Sequence, residues 1–277
     1  MSAQAKLAIG MSQRGPLCIG LDPDRDRLPA CVRGDVAVFL REIIATTADI
    51  ACGFKINSAF FESMGLDASG EGHVLASTRA ALPSSALFIW DGKRGDIGNT
   101  NRHYAHAAFE VLGADAVTVH PYLGLEPLEP FLRYRERLTF VLCATSEGSQ
   151  MQDLCISDRE GEAMAQPLWQ WVARKVAQQS DGQCGLVVGA TQPERLAWVR
   201  KVAPQLPLLV PGVGAQGGQI PAQGSGAPLL INASRSILYA SAGPDFAAAA
   251  RAAALSLRTA CVNASVASAI APNPVSH

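Results

Sequence analysis

Eight short apolar runs alternate with helical patterns along the 277 residues, and this alternation predicts an α/β fold, a single-domain (β/α)8 TIM barrel. Three observations carry the prediction. Each run is nearly continuous in apolar residues, as suits a parallel strand buried on both faces. The runs number eight, which favours closure into a barrel over an open, doubly wound sheet. The length also suits one barrel, which takes about 250 residues.

The runs start at Pro16 (PLCIGLD), Ala51 (ACGFKIN), Ala86 (ALFIWD) and Asp115 (DAVTVH). They continue at Thr139 (TFVLCAT), Gly185 (GLVVGAT), Pro207 (PLLVPG) and Pro228 (PLLINAS). Between them, Val36, Phe39, Leu40, Ile43 and Ile44 form the i, i+3, i+4, i+7, i+8 stripe of a core-facing helix. Asn99 to Leu112 reads as a second helix, closed by Gly113 as its C-terminal cap. Trp171, Val172 and Val176 mark a third. The Ala-rich stretch from Asp245 to Thr259 is a fourth, on propensity alone. The barrel is expected over residues 1–262. Residues 263–277 (NASVASAIAPNPVSH) are small, Pro-containing and uncharged until the last position, and read as a flexible tail.

A formal net charge of -1 gives no broad pull toward nucleic acid or an anionic membrane, so any bound anion must be caught locally. No run approaches the ~20 apolar residues of a membrane span, and MSAQAKLAIGMSQRG lacks the apolar core of a signal peptide. The seven cysteines are odd in number and show neither a CxxC pair nor metal-ligand spacing, which suits reduced thiols in the cytoplasm. No GxGxxG follows the first run, which weakens a dinucleotide-binding reading.

In such barrels the C-terminal strand ends form the active face. Polar residues gather at those ends: Asp22, then Lys55 and Asn57, then Asp91 and Lys93, then His120, then Thr145 and Ser146. Asp91 and Lys93 are two apart, so in extended chain they point to one side, where Lys55 of the neighbouring strand can join them. An array of alternating charge can stay ionised when partly buried. A substrate carboxylate beside Asp91 would meet like-charge repulsion, its loss as carbon dioxide would relieve it, and Lys93 could protonate the carbanion left behind. The plain alternative is a salt-bridge network that plugs the barrel mouth.

Two further loops suit an anion. PGVGAQGG (Pro211 to Gly218) follows the seventh run, and NASRS (Asn232 to Ser236) follows the eighth. Barrel enzymes commonly hold phosphate there. Glycines admit backbone N–H groups to the anion, and Arg235 can add a bidentate grip. The loop onward through QIPAQGSGA could act as a lid, with Gln216 reaching down.

These residues resemble a known family. DGKRGDIGNT resembles the Asp-x-Lys-x-x-Asp-Ile signature of orotidine 5′-phosphate decarboxylases, and GLDPD, FKINSAFFESMG, PGVGAQGG and SRSI resemble its other blocks in the same order. The resemblance spans Leu17 to about Tyr239 and is most like the bacterial branch with longer loops. It implies a homodimeric barrel without metal or organic cofactor that converts orotidine 5′-monophosphate to UMP and carbon dioxide. It also implies roles. Lys93 is the proton donor to C6, Asp91 sits against the substrate carboxylate, and Lys55 and Asp22 touch the ribose. Asp96 and Thr100 reach into the partner's site. Ser146 contacts the pyrimidine, Pro211 lines the substrate site, and Gln216, Ser234 and Arg235 hold the phosphate. His120, Glu147 and Ser234 stand where the resemblance leads one to expect Asn, Asn and Gly.

Two rivals remain at this stage. A magnesium-dependent sugar-phosphate decarboxylase or synthase of the same superfamily would need an acidic residue where the second run ends in Lys55 and Asn57. A non-catalytic nucleotide-phosphate binder would have no use for Asp91, Lys93 and Asp96 together.

Overall fold

The computed structural model describes residues 1–65, 72–145, 150–157, 165–213, 217–221 and 226–270. Eight parallel strands close into a barrel: β1 (Leu17–Gly20), β2 (Gly53–Asn57), β3 (Leu87–Arg94), β4 (Ala116–Val119), β5 (Leu138–Ala144), β6 (Cys184–Val188), β7 (Leu208–Pro211) and β8 (Leu229–Ala233). Every strand falls within or beside one of the eight apolar runs. Pairing follows chain order, and β8 closes on β1 with Leu17 opposite Ile231 and Ile19 opposite Ala233. A small antiparallel ribbon, Cys155–Ile156 with Gln166–Pro167, sits outside the barrel.

The strands bury both faces because two cores flank them. The outer core lies between barrel and helices. The inner core is small and includes Cys18, Ile89, Phe140, Val187 and Leu230. Phe140 takes so much of this space that its β6 neighbour must be glycine: a Cβ on Gly185 would lie 2.6 Å from the Phe140 ring.

The inner core continues into a helix that the sequence reading left out. Ala3–Arg14 precedes β1 and is capped by Ser2, whose hydroxyl accepts the Ala5 N–H. Ala3 and Leu7 join the inner core, and Gly10 packs against Cys52 so closely that a Cβ would meet its Sγ at 2.8 Å. Lys6 adds an ion pair to the buried Asp115 at 2.8 Å, and Gln4 donates to the Arg135 and Gly182 carbonyls. The helix thus closes the N-terminal end of the barrel and leaves the other end to the site.

The outer helices follow the expected stripes. Helix Val36–Thr47, capped by Asp35, buries Val36, Phe39, Leu40, Ile43 and Ile44 as read. In helix Leu168–Gln179 the buried face is Trp169, Val172, Ala173 and Val176; Trp171 stands at its edge under the Lys175 ammonium. The second helix starts at Gly98, passes into a π-helical turn at Ala107–Val111, and ends at Gly113 in the left-handed region (φ 65°). One correction concerns the C-terminus. The last helix runs Phe246–Ile270, so regular structure passes through residues 263–270, which the sequence reading assigned to a tail. Ala250, Ala254 and Cys261 are buried on it, and Arg251 ties it to Asp49 and to the Thr46 carbonyl. Residues 271–277 lie outside the described set.

Candidate active site

The C-terminal strand ends open into a cavity of about 250 Å³, lined among others by Asp22, Lys55, Asp91, Lys93, Thr118, Pro211, Asn232, Ser234 and Arg235. Seven of the expected site residues, Asp22, Lys55, Asp91, Lys93, Pro211, Ser234 and Arg235, therefore surround one space on one chain. Asp96 and Thr100 do not line it. They lie past β3, where Asp96 accepts the Ile97 N–H and Thr100 rides on the helix that starts at Gly98. Ser146 and Gln216 fall outside the described residues, as does Glu147. His120 ends β4 as expected but turns aside to pack against Gly95.

The charged array is continuous. Lys55 Nζ donates to Asp91 Oδ2 at 2.7 Å and lies 3.7 Å from Asp22 Oδ1. Lys93 Nζ donates to Asp91 Oδ1 at 2.7 Å. Burial alone would lower the Lys55 pKa, but the Asp91 and Asp22 carboxylates outweigh it and hold the ammonium above its ordinary range. Burial alone would raise the Asp91 pKa; the Lys55 and Lys93 ammonium groups outweigh it and hold the carboxyl well below the usual range. Both stay charged near neutral pH.

The backbone that presents Asp91 and Lys93 is not a regular strand. β3 pairs with β4 at Trp90–Val117 and next at Arg94–Val119, so four steps along β3 match two along β4. Lys93 sits in this bulge with φ at 45°, a region that side chains other than glycine rarely take. Asp91 and Lys93 do converge, as their spacing suggested, but through a bulge rather than an extended chain. Bulges of this kind re-aim a side chain, and here the result is that Lys93 is half exposed to the cavity while Asp91 is buried.

Thr118 was not singled out by the sequence reading. It sits 2% exposed within β4, donates its hydroxyl to Asp91 Oδ1 at 2.7 Å and accepts the Lys93 N–H at 3.0 Å. The signal was its place in DAVTVH: inward residues alternate along a strand, and Ala116 and Thr118 share the inner face. A hydroxyl on that face has to find a partner.

The far wall is rich in unmet acceptors. Asp22 Oδ1, Asn232 Oδ1 and Ser234 Oγ are buried without a hydrogen-bond partner, and all three residues line the cavity. Such atoms suit the hydroxyl groups of a ligand. Arg235, exposed at the rim just after β8, lines the same cavity as Gly212 and Val213. This is the phosphate-binding position of a barrel. Among the described residues, no cluster of three or more His, Cys, Asp or Glu side chains is placed to hold a metal ion. No described helix is long and apolar enough to cross a membrane.

Fold and site together define a (β/α)8 barrel with a charge-balanced lysine–aspartate array beneath an anion rim. A family model described as orotidine 5′-phosphate decarboxylase / HUMPS matches residues 15–253. The chain is 45% identical over 260 residues to the orotidine 5′-phosphate decarboxylase of Herpetosiphon aurantiacus, covering 91% of this chain and 94% of the relative. It is 49% identical over 255 residues to that of Thermomicrobium roseum, covering 87% of this chain and 88% of the relative. Among solved structures, the Leishmania donovani OMP decarboxylase superposes with a TM-score of 0.79 at 36% identity, covering 96% of this chain and 100% of the other. The chain belongs to the orotidine 5′-phosphate decarboxylase / HUMPS family.

Proposed function

We propose that this chain decarboxylates orotidine 5′-monophosphate to UMP and carbon dioxide, the last step of de novo pyrimidine synthesis, and that Lys93 supplies the proton. The reaction class follows from the family. The observation that carries the division of labour is the Lys55–Asp91–Lys93 chain, linked at 2.7 Å and 2.7 Å within a cavity that Arg235 also lines.

The phosphate binds at the β7 and β8 ends, held by Arg235, the Ser234 backbone and Gln216. The ribose lies against Asp22 and Lys55, Pro211 lines the substrate site, and Ser146 contacts the pyrimidine. This places the C6 carboxylate against Asp91, which Lys55 and Lys93 keep ionised. The C6–carboxylate bond breaks, its electron pair stays on C6, and carbon dioxide leaves. Lys93 Nζ gives its proton to C6 and is reprotonated from water. Binding energy from the phosphate, remote from the reacting bond, offsets the cost of seating a carboxylate beside Asp91.

The site is shared between two copies in this reading, with Asp96 and Thr100 of each chain entering its partner's cavity. Two features support it. Neither residue lines the cavity of its own chain, and Ile97, next to Asp96, leaves 61% of its surface exposed. A cytoplasmic location fits the seven cysteines, all free thiols.

The sugar-phosphate reading is disfavoured by the same geometry. Asp22 and Asp91, the carboxylates best placed to bind a divalent ion, both face the Lys55 ammonium. A spectrophotometric assay with orotidine 5′-monophosphate in a chelator tests the proposal. Loss of the orotate absorbance is expected; no change from folded protein would leave a non-catalytic binder, and magnesium-restored activity on a sugar phosphate would point to the rival. Arg235→Ala separates the phosphate grip from the rest. It should weaken UMP by about 1.5–3 kcal/mol, the worth of hydrogen bonds to a charged group. Uridine affinity should barely move, and titrations of both ligands read the difference; equal losses would put the phosphate elsewhere.

A further inference from the structure

We propose that Thr118 is a positioning residue for the decarboxylation, holding Asp91 against the incoming carboxylate and fixing the backbone that carries Lys93. The inference rests on the reaction and roles proposed above. Its basis is the pair of bonds made by one hydroxyl: Thr118 Oγ1 donates to Asp91 Oδ1 at 2.7 Å and accepts the Lys93 N–H at 3.0 Å.

A carboxylate approached by another carboxylate lowers its energy most simply by turning away. Repulsion then does no chemical work. Asp91 can keep its place only if its rotation is blocked, and its contacts block it from both ends. Oδ2 is held by Lys55 on β2, and Oδ1 receives both Lys93 Nζ and the Thr118 hydroxyl. Of these, Lys93 is the mobile member, half exposed and required to give up its proton. When it moves toward C6, Thr118 is what remains on Oδ1. The same hydroxyl also satisfies the Lys93 N–H in a left-handed backbone that the strand ladder does not hold, because the β3–β4 register is broken there.

Packing alone does not ask for a hydroxyl at this position. Leu142, Val187 and Leu209 line the same cavity as hydrocarbon, and valine has nearly the shape of threonine. Groups that orient the ligands of a metal are worth roughly 10- to 100-fold in affinity or activity, and the orientation of a reacting carboxylate is expected on the same scale.

The test compares Thr118→Val and Thr118→Ser with wild type. Thr118→Val should lower kcat by about 10- to 100-fold. KM should stay unchanged or fall, because a freed Asp91 no longer resists the substrate carboxylate, and UMP affinity should hold within about threefold. Thr118→Ser keeps the hydroxyl and should recover kcat to within about threefold of wild type. A role in packing alone predicts the reverse order, with Val the milder change. The proposal fails if Thr118→Val keeps its kcat, if Ser and Val are equally impaired, or if UMP affinity falls in step with kcat. Should Thr118→Val not fold, Thr118→Cys, with only a weak S–H donor, carries the same readouts. Wild type that leaves orotidine 5′-monophosphate unchanged overturns the underlying reaction; active wild type with an active Thr118→Val overturns only the role of Thr118.

Discussion

Lys93→Ala should remove turnover while leaving a folded protein that still binds product. The expected loss in kcat is at least about 10⁴-fold, the upper end of what a single acid–base group contributes, because Lys93 is both proton donor and part of the charge balance. Without its ammonium, Asp91 keeps Lys55 and Thr118 as partners, so no buried charge is stranded. The Lys93 side chain is 48% exposed, so its removal leaves little cavity. UMP affinity should therefore stay within about tenfold of wild type, since product carries no carboxylate and no longer needs a proton. Single-turnover assays and UMP titrations read the two quantities separately. Unchanged turnover would remove Lys93 from the proton step. A parallel collapse of UMP binding would instead mean that Lys93 holds the nucleotide.

Much of the fold was legible because burial on both faces forces a strand to be almost wholly apolar, and eight such runs leave few architectures open. The charged residues at the strand ends were legible for the complementary reason: Asp91 and Lys55 interrupt runs that are otherwise hydrocarbon. Other features carried weaker signals. Helix Ala3–Arg14 meets the barrel with Ala3, Leu7 and Gly10, spaced as a helix face requires, but two of the three are small and make a faint stripe. Gly10 is small because it lies against Cys52, where a Cβ would meet Sγ at 2.8 Å. In the last helix, Ala254 and Cys261 are seven residues apart on one face, and the helix then runs on to Ile270 through the small residues NASVASA, whose composition suggested a tail. The bulge at Lys93 had no local signal. It shows only in the register between β3 and β4, which is a property of two strands at once.

Mixing two inactive chains should restore activity if the site is shared. In Asp91→Ala chains the array is broken at its centre; in Asp96→Ala chains only the residue offered to the partner is lost. A heterodimer of the two has one site with both defects and one with neither. Random exchange makes about half the dimers mixed, so close to one quarter of wild-type activity should return. The expectation rests on position. Asp96 is absent from the cavity that Asp22, Lys55, Asp91 and Lys93 line on the same chain, although it lies only three residues beyond Lys93. Thr100, in the first turn of the helix that begins at Gly98, does not line that cavity either. Subunit exchange would be followed by differently tagged chains, and activity measured on the exchanged mixture and on the purified mixed dimer, where about half of wild-type activity is expected. Recovery with one intact site per dimer would make assembly a condition of catalysis, because no single chain could then complete the array. Mixed dimers without activity would return Asp96 to its own chain, where its present contacts, the Ile97 N–H and the Asn101 side chain, describe a helix-start turn and nothing more.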